Sequence, residues 1–79
     1  MKGSLADLPF GQHAKIVSIN CERRLSRRLM EMGLLPGTRV RVVRVAPLGD
    51  PIELRVRNYS LSVRRAEAAK IAVRLEAAE

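Results

Sequence analysis

The stretch Arg28 to Val56, RLMEMGLLPGTRVRVVRVAPLGDPIELRV, decides the fold. It opens on the last turn of an amphipathic helix, which stops at Gly33. Glycine there is the natural left-handed C′ residue, and Leu34 can fold back on the helix as in a Schellman motif. Pro36-Gly37 suits the central positions of a type II turn. A valine strand follows over Thr38 to Val45, then the loop Ala46-Pro47-Leu48-Gly49-Asp50-Pro51, then a second strand. Val40 and Val42 share one side of the first strand, while Val43 and Val45 take the opposite parity around Arg44. A strand whose apolar parity changes in mid-course bends or bulges at a barrel corner. This favours a closed, strongly curved sheet over a flat one.

Working outward, Cys21, Leu25, Leu29 and Met32 fall at i, i+4, i+8 and i+11, one apolar stripe of a helix from Cys21 to Met32. Asn20 is its expected cap, and Arg27 and Glu31 are spaced to pair at i, i+4. Upstream, Ala14 to Ile19 reads as a strand. Ile16 and Ile19 cannot share one side of a regular strand, so a bend is expected. Ser4 to Leu8 reads as a short helical turn, with Ser4 and Asp7 at capping-box spacing and Pro9 and Gly11 ending it. Downstream, Ile52, Leu54 and Val56 alternate cleanly with charged residues. Asn58-Tyr59 is expected to turn the chain, because Asn tolerates positive φ. Leu61 and Val63 continue the pattern, Arg65 to Lys70 makes a helical turn, and Ile71, Val73 and Leu75 form the last strand. Residues 76–79 read as a frayed tail. The expectation is a mainly β domain over residues 1–79. About five strands form a small, partly open barrel, with one inserted α-helix and a helical turn before the last strand.

Composition narrows the function classes. The chain has 79 residues, 47% of them apolar, enough for one thin core. One cysteine permits no internal disulfide, which fits a reducing compartment. No long apolar run follows Lys2, so neither a signal peptide nor a membrane span is expected. Twelve of the fifteen basic residues are arginine and the net charge is +7. Such a charge attracts nucleic acid, anionic lipid or an acidic protein, or it clothes the solvated faces of the strands. Phe10 and Tyr59 are the only aromatics. That is poor provision for stacking single-stranded bases, though it leaves backbone-only contacts open.

No catalyst emerges from the sequence. His13 is the only histidine and Cys21 the only cysteine, short of the three or four ligands a zinc site needs. Cys21 lies on the helix stripe, as a small core residue does. Ser, His and carboxylates are not spaced as a triad. Gly33 to Thr38 lacks the Gly-Lys-Ser/Thr ending of a phosphate loop and precedes a strand instead of a helix. No catalytic, cofactor-binding or metal-ligating residue is assigned, and no small-molecule substrate is expected.

Partner contact is the remaining class. With Leu25 and Leu29 at the centre of the buried helix face, Met30 points away among arginines, unless the Leu34-Leu35 connection covers it. Leu48 is apolar in a loop framed by prolines and glycine; it either meets a partner or plugs one barrel end. The candidate contact set is Arg24, Arg27, Arg28 and Met30 on the helix with Leu48 and Asp50 on the loop.

These parts together resemble the FeoA family of bacterial ferrous-iron uptake. The resemblance rests on the lead-in SLADLPFG, on RRLMEMGLLPGTRVRVV, on APLGDPIELRV and on LSVRRAEAAKIAV. It implies an SH3-like β-barrel and a cytoplasmic, non-enzymatic accessory role. The implied partner is FeoB, a membrane transporter with a GTP-binding domain, met by protein contact. The membrane would be reached only through that partner, and oligomeric state is left open. Asn58 stands where this family often has glycine. Two other readings remain: a basic small barrel that binds nucleic acid, and a free-standing barrel related to the C-terminal domain of iron- or manganese-dependent repressors. The repressors also carry a DNA-binding helix-turn-helix, for which this chain has no room.

Overall fold

A computed structural model describes residues 2–76. Among these, six antiparallel strands form one sheet in the order β1-β6-β2-β3-β4-β5. The strands are β1 (Lys2–Ser4), β2 (His13–Ile19), β3 (Arg39–Val45), β4 (Ile52–Val56), β5 (Tyr59–Val63) and β6 (Ile71–Leu75). A 3-10 turn (Leu5–Asp7) follows β1; helix α1 (Arg23–Glu31) lies between β2 and β3, and helix α2 (Arg65–Ala68) between β5 and β6. The sequence reading lacked β1, whose three residues pair with β6 through Lys2↔Arg74 to Ser4↔Ala72. The sheet curls without closing: β1 and β5 are its two ends and do not pair. This agrees with the expected partly open barrel; the full closure suggested by the parity change in Thr38 to Val45 does not occur.

Two bulges explain the broken alternation. In β2 the register against β6 passes from Ile16↔Val73 to Ser18↔Ala72 and Ile19↔Ile71. Val17 is the extra residue, so Ile16 and Ile19 both face inward, as a bent strand allows. In β3 the register passes from Val42↔Leu54 to Arg44↔Glu53 and Val45↔Ile52. Here the expected exchange of buried faces does not occur. Val43 is looped out, and Val45 returns to the side of Val40 and Val42, opposite buried Ile52.

The core lines the inner side of the curl. Ala14, Ile16, Val40, Val42, Leu54, Val56 and Val73 come from the strands, Leu29 from α1, Leu5 from the 3-10 turn and Ala68 from α2. Helix α1 seals it with the predicted stripe: Leu29 is buried, while Cys21, Leu25 and Met32 pack partly against the core. Leu34 N–H donates to Leu29 O at 3.1 Å and Gly33 N–H to Met30 O at 3.0 Å, the paired bonds of a Schellman motif. Thr38 N–H to Leu35 O at 2.9 Å then closes the turn over Pro36-Gly37.

Several local expectations need correction. Helix α1 starts at Arg23 behind Glu22 with no side-chain cap, so Asn20 does not cap it. Asn20 instead donates its N–H to Lys70 O at 2.7 Å, stitching the end of β2 to the start of β6. Ser4 Oγ donates to Asp7 Oδ2 at 3.0 Å, side chain to side chain, and caps no backbone group. Among the described residues Arg27 and Glu31 form no ion pair; Arg28 reaches Glu67 instead, at 3.6 Å. The β4–β5 turn is Arg57-Asn58, and Arg57 takes the positive φ of 55°. The ladder ends on Val56↔Tyr59, leaving two residues to make the turn. Of the expected tail at 76–79, Glu76 donates its N–H to His13 O at 3.1 Å, and 77–79 lie outside the described residues.

Candidate partner-binding surface

The loop after β3 is held at both ends. Gly49 N–H donates to Ala46 O at 2.7 Å and Ala46 N–H to Pro51 O at 3.1 Å, so residues 46–51 close on themselves. Gly49 has φ 88°, a conformation that suits glycine. Arg65, at the start of α2, ties this loop to the body. Its backbone N–H donates to Asp50 Oδ1 at 3.0 Å, its Nε to Gly49 O at 2.9 Å and its Nη1 to Ala6 O at 2.9 Å. Leu48 projects from the middle of this braced loop, 97% exposed. The reading of Leu48 as a barrel plug is thereby corrected.

Helix α2 lies beside the 3-10 turn and reaches α1 through an ion pair. The Arg64 side chain has donors only and cannot cap it. Glu67 does so by accepting Arg64 N–H at Oε1, 3.2 Å away. Its other oxygen, Oε2, faces Arg28 Nη2 at 3.6 Å. This pair is largely exposed on the Arg28 side, so its contribution is at most about 1 kcal/mol. Arg28, Asp50, Pro51, Ser62, Val63, Arg64 and Glu67 line a groove of about 360 Å³.

Of the six residues predicted for contact, the structure brings Arg28 and Asp50 to one groove. Asp50 serves as an anchor of the loop rather than as a free carboxylate. Arg24 and Arg27 are exposed on α1, and neither lines that groove. Met30 is 40% exposed, and Leu34 turns inward instead of covering it. Sequence reasoning missed Arg65, because nothing in a run of arginines marks the one that reaches three carbonyl and carboxylate oxygens. It also passed over Phe10, which is 73% exposed in the turn closed by Gln12 N–H to Pro9 O at 3.1 Å. Pro9 and Gly11 beside it were the available signal.

Other chemistry-bearing groups stand apart. His13 Nδ1 lies 2.6 Å from Arg39 Nη2. Guanidinium only donates, so Nδ1 is the acceptor in this contact. Burial raises the Cys21 thiol above its ordinary value, with Lys70 opposing and Glu67 and Glu22 adding to the rise. Among the described residues no three His, Cys, Asp or Glu side chains gather as metal ligands would. No helix among them is long and apolar enough to cross a membrane.

The sequence profile of the FeoA domain matches residues 3–75. The chain belongs to the FeoA family. Over 71 residues it is 41% identical to an Fe(2+) transport protein A/Fe(2+) transporter FeoB fusion protein of Porphyromonas gingivalis. That alignment covers 90% of this chain but spans only 8% of the fusion protein's length. Among solved structures, the FeoA protein of Chlorobium tepidum superposes with a TM-score of 0.90 at 41% identity, covering 96% of this chain and 72% of that one. The FeoA-like protein of Clostridium acetobutylicum gives 0.87 at 36%, covering 99% and 91%. The FeoA of Stenotrophomonas maltophilia, a prokaryotic SH3 domain protein solved with zinc, gives 0.77 at 30%, covering 89% and 87%. A manganese-dependent transcriptional repressor shares the fold at 16% identity and a TM-score of 0.85, covering 95% of this chain and 42% of the repressor. The mainly β, SH3-like architecture thus agrees with its FeoA relatives.

Proposed function

We propose that this FeoA-family chain is a non-enzymatic accessory of ferrous-iron uptake that works on the cytoplasmic side by docking on a FeoB-like transporter. The observation that carries the reading is Leu48. An apolar side chain is held almost wholly in solvent by a loop whose backbone is braced at Gly49 and Asp50. A braced tip loses little entropy on binding, and a buried leucine contributes about 1.5–3 kcal/mol to an interface. Arg28 borders the adjoining groove, with Met30, Arg24 and Arg27 exposed on the same helix. The fusion of the two proteins in Porphyromonas gingivalis supports the choice of partner, since fusion holds two chains at high effective concentration.

The test uses purified chain and a matching FeoB-like transporter. Leu48→Asp and Met30→Asp should each reduce retention of the transporter at least tenfold and lower iron uptake in cells, with an unchanged far-ultraviolet spectrum and melting point. Undiminished uptake in both folded variants would remove this surface from consideration. Retention of bulk RNA alone, falling steeply with salt, would favour the nucleic-acid reading.

A further inference from the structure

The outward face of β2, β3 and β4 is a different surface, and its charge is arranged unusually. Lys15 of β2 lies directly opposite Arg39 of β3 on one side and Arg74 of β6 on the other. One step along, His13 lies opposite Arg41, and Arg41 lies opposite Arg55 of β4. All these residues alternate with buried ones, so their side chains share the outer face. Directly opposed side chains in an antiparallel pair have Cβ atoms about 4.5–5.5 Å apart, and like charges there are destabilising. Two adjacent rows of cations therefore cost the free protein stability.

At the β3–β4 end these residues surround a groove of about 430 Å³ lined by His13, Arg39, Val40, Arg41, Arg55 and Arg57. Arg39 is held in place: Nη2 donates to His13 and Nε pairs with Glu76 Oε1 at 2.5 Å. Arg41, Arg55 and Arg57 have no salt-bridge partner among the described residues.

We propose that this groove binds a compact polyphosphate anion: two or more linked phosphate groups carried by one small molecule. Guanidinium groups match phosphate oxygens in bidentate pairs, and four of them border one concavity. Its volume falls in the range of small-ligand sites, about 300–1,000 Å³. An acidic peptide would have to crowd several separate carboxylates into that space. Linked phosphates bring the same charge on one short spine. Glu76 already engages Arg39, so Arg41, Arg55 and Arg57 are the groove cations left to take the phosphates. A single-stranded nucleic acid is disfavoured because no aromatic side chain lines the groove for bases to stack on.

The probe is sodium pyrophosphate, compared with sodium chloride at equal ionic strength, on the full chain. Melting temperature should rise by about 4 °C or more at millimolar pyrophosphate beyond the chloride effect. Amide shifts in a nuclear magnetic resonance titration should map to β2, β3 and β4. Arg41→Gln and Arg55→Gln should each lose about tenfold or more in affinity, while the free variants melt at the same temperature or higher. Arg23→Gln, which removes the same charge from α1, should bind as the parent does. A pyrophosphate effect no larger than that of chloride would overturn the proposal, as would equal losses in Arg23→Gln and Arg41→Gln. Duplex DNA that outcompetes pyrophosphate, with a salt slope counting more phosphates than the four groove arginines, would assign the face to a polynucleotide backbone and overturn the compact site.

Discussion

Gly33 illustrates how much a single position can carry. Its φ is 102°, and a Cβ placed there would lie 1.9 Å from Tyr59 Oη and 3.2 Å from Tyr59 Cζ. The glycine is thus required twice, once by the helix stop and once by the tyrosine that donates to Met32 O. Gly33→Ala should destabilise by about 2–4 kcal/mol in urea unfolding. Tyr59→Phe should cost about 1 kcal/mol for the lost hydrogen bond. The double variant should cost less than the sum, because the phenylalanine removes the clashing oxygen; strict additivity would show that backbone strain alone sets the glycine's role. At Cys21 the raised thiol should react with iodoacetamide at pH 8 more slowly than free cysteine, and unfolding should abolish the difference.

The elements divide into those read from local pattern and those decided by partners across the fold. The 33–38 stop and turn follows from glycine, proline and one apolar stripe, and each expected hydrogen bond is present. Helix α1 starts two residues later than its apolar stripe, behind Glu22, and the backbone of Asn20 belongs to the β2–β6 junction through Lys70 O. The bulges at Val17 and Val43 were sensed as broken parity, but which residue loops out depends on the facing strand. Among the contact residues, helix phase turned Met30 outward but left open whether Leu34-Leu35 covers it, and the loop setting of Leu48 fitted a plug as well as a contact; the structure exposes both. The role of Asp50 was not legible, since its partner Arg65 is fifteen positions away. Arg65→Ala removes two hydrogen bonds from a largely exposed site, so stability should fall by only about 1 kcal/mol. Hydrogen exchange at the Gly49 amide should quicken, and transporter retention should drop although Leu48 is intact. Unchanged retention would mean that bracing the loop does not matter for docking.

At the scale of the molecule, one thin core and a net charge of +7 oppose each other. Leu54 is fully buried in β4, between β3 and β5. Leu54→Ala should cost about 2–5 kcal/mol, a large part of the roughly 5–10 kcal/mol expected of so small a domain. Its melting point should fall steeply, or the chain should fail to fold. Raising sodium chloride from about 10 to about 100 mM shortens the Debye length from about 30 to about 10 Å. The like-charge rows on β2, β3, β4 and β6 should then repel less, and the parent melting temperature should rise. The rise should be smaller in Arg41→Gln, where one opposed pair is gone.

What the residues determined by themselves was local and periodic. Apolar stripes set the faces of α1 and the strands, and glycine and proline set the stops. Family membership was legible too, because short motifs in the right order survive where no single motif is specific. Only the tertiary structure decided the strand order, the pairing of β1, the anchoring of the loop by Arg65 and the stacking of cations on the outer face. Each depends on residues far apart in the chain. Periodicity records which side of a strand a residue occupies, but it does not record which strand lies opposite.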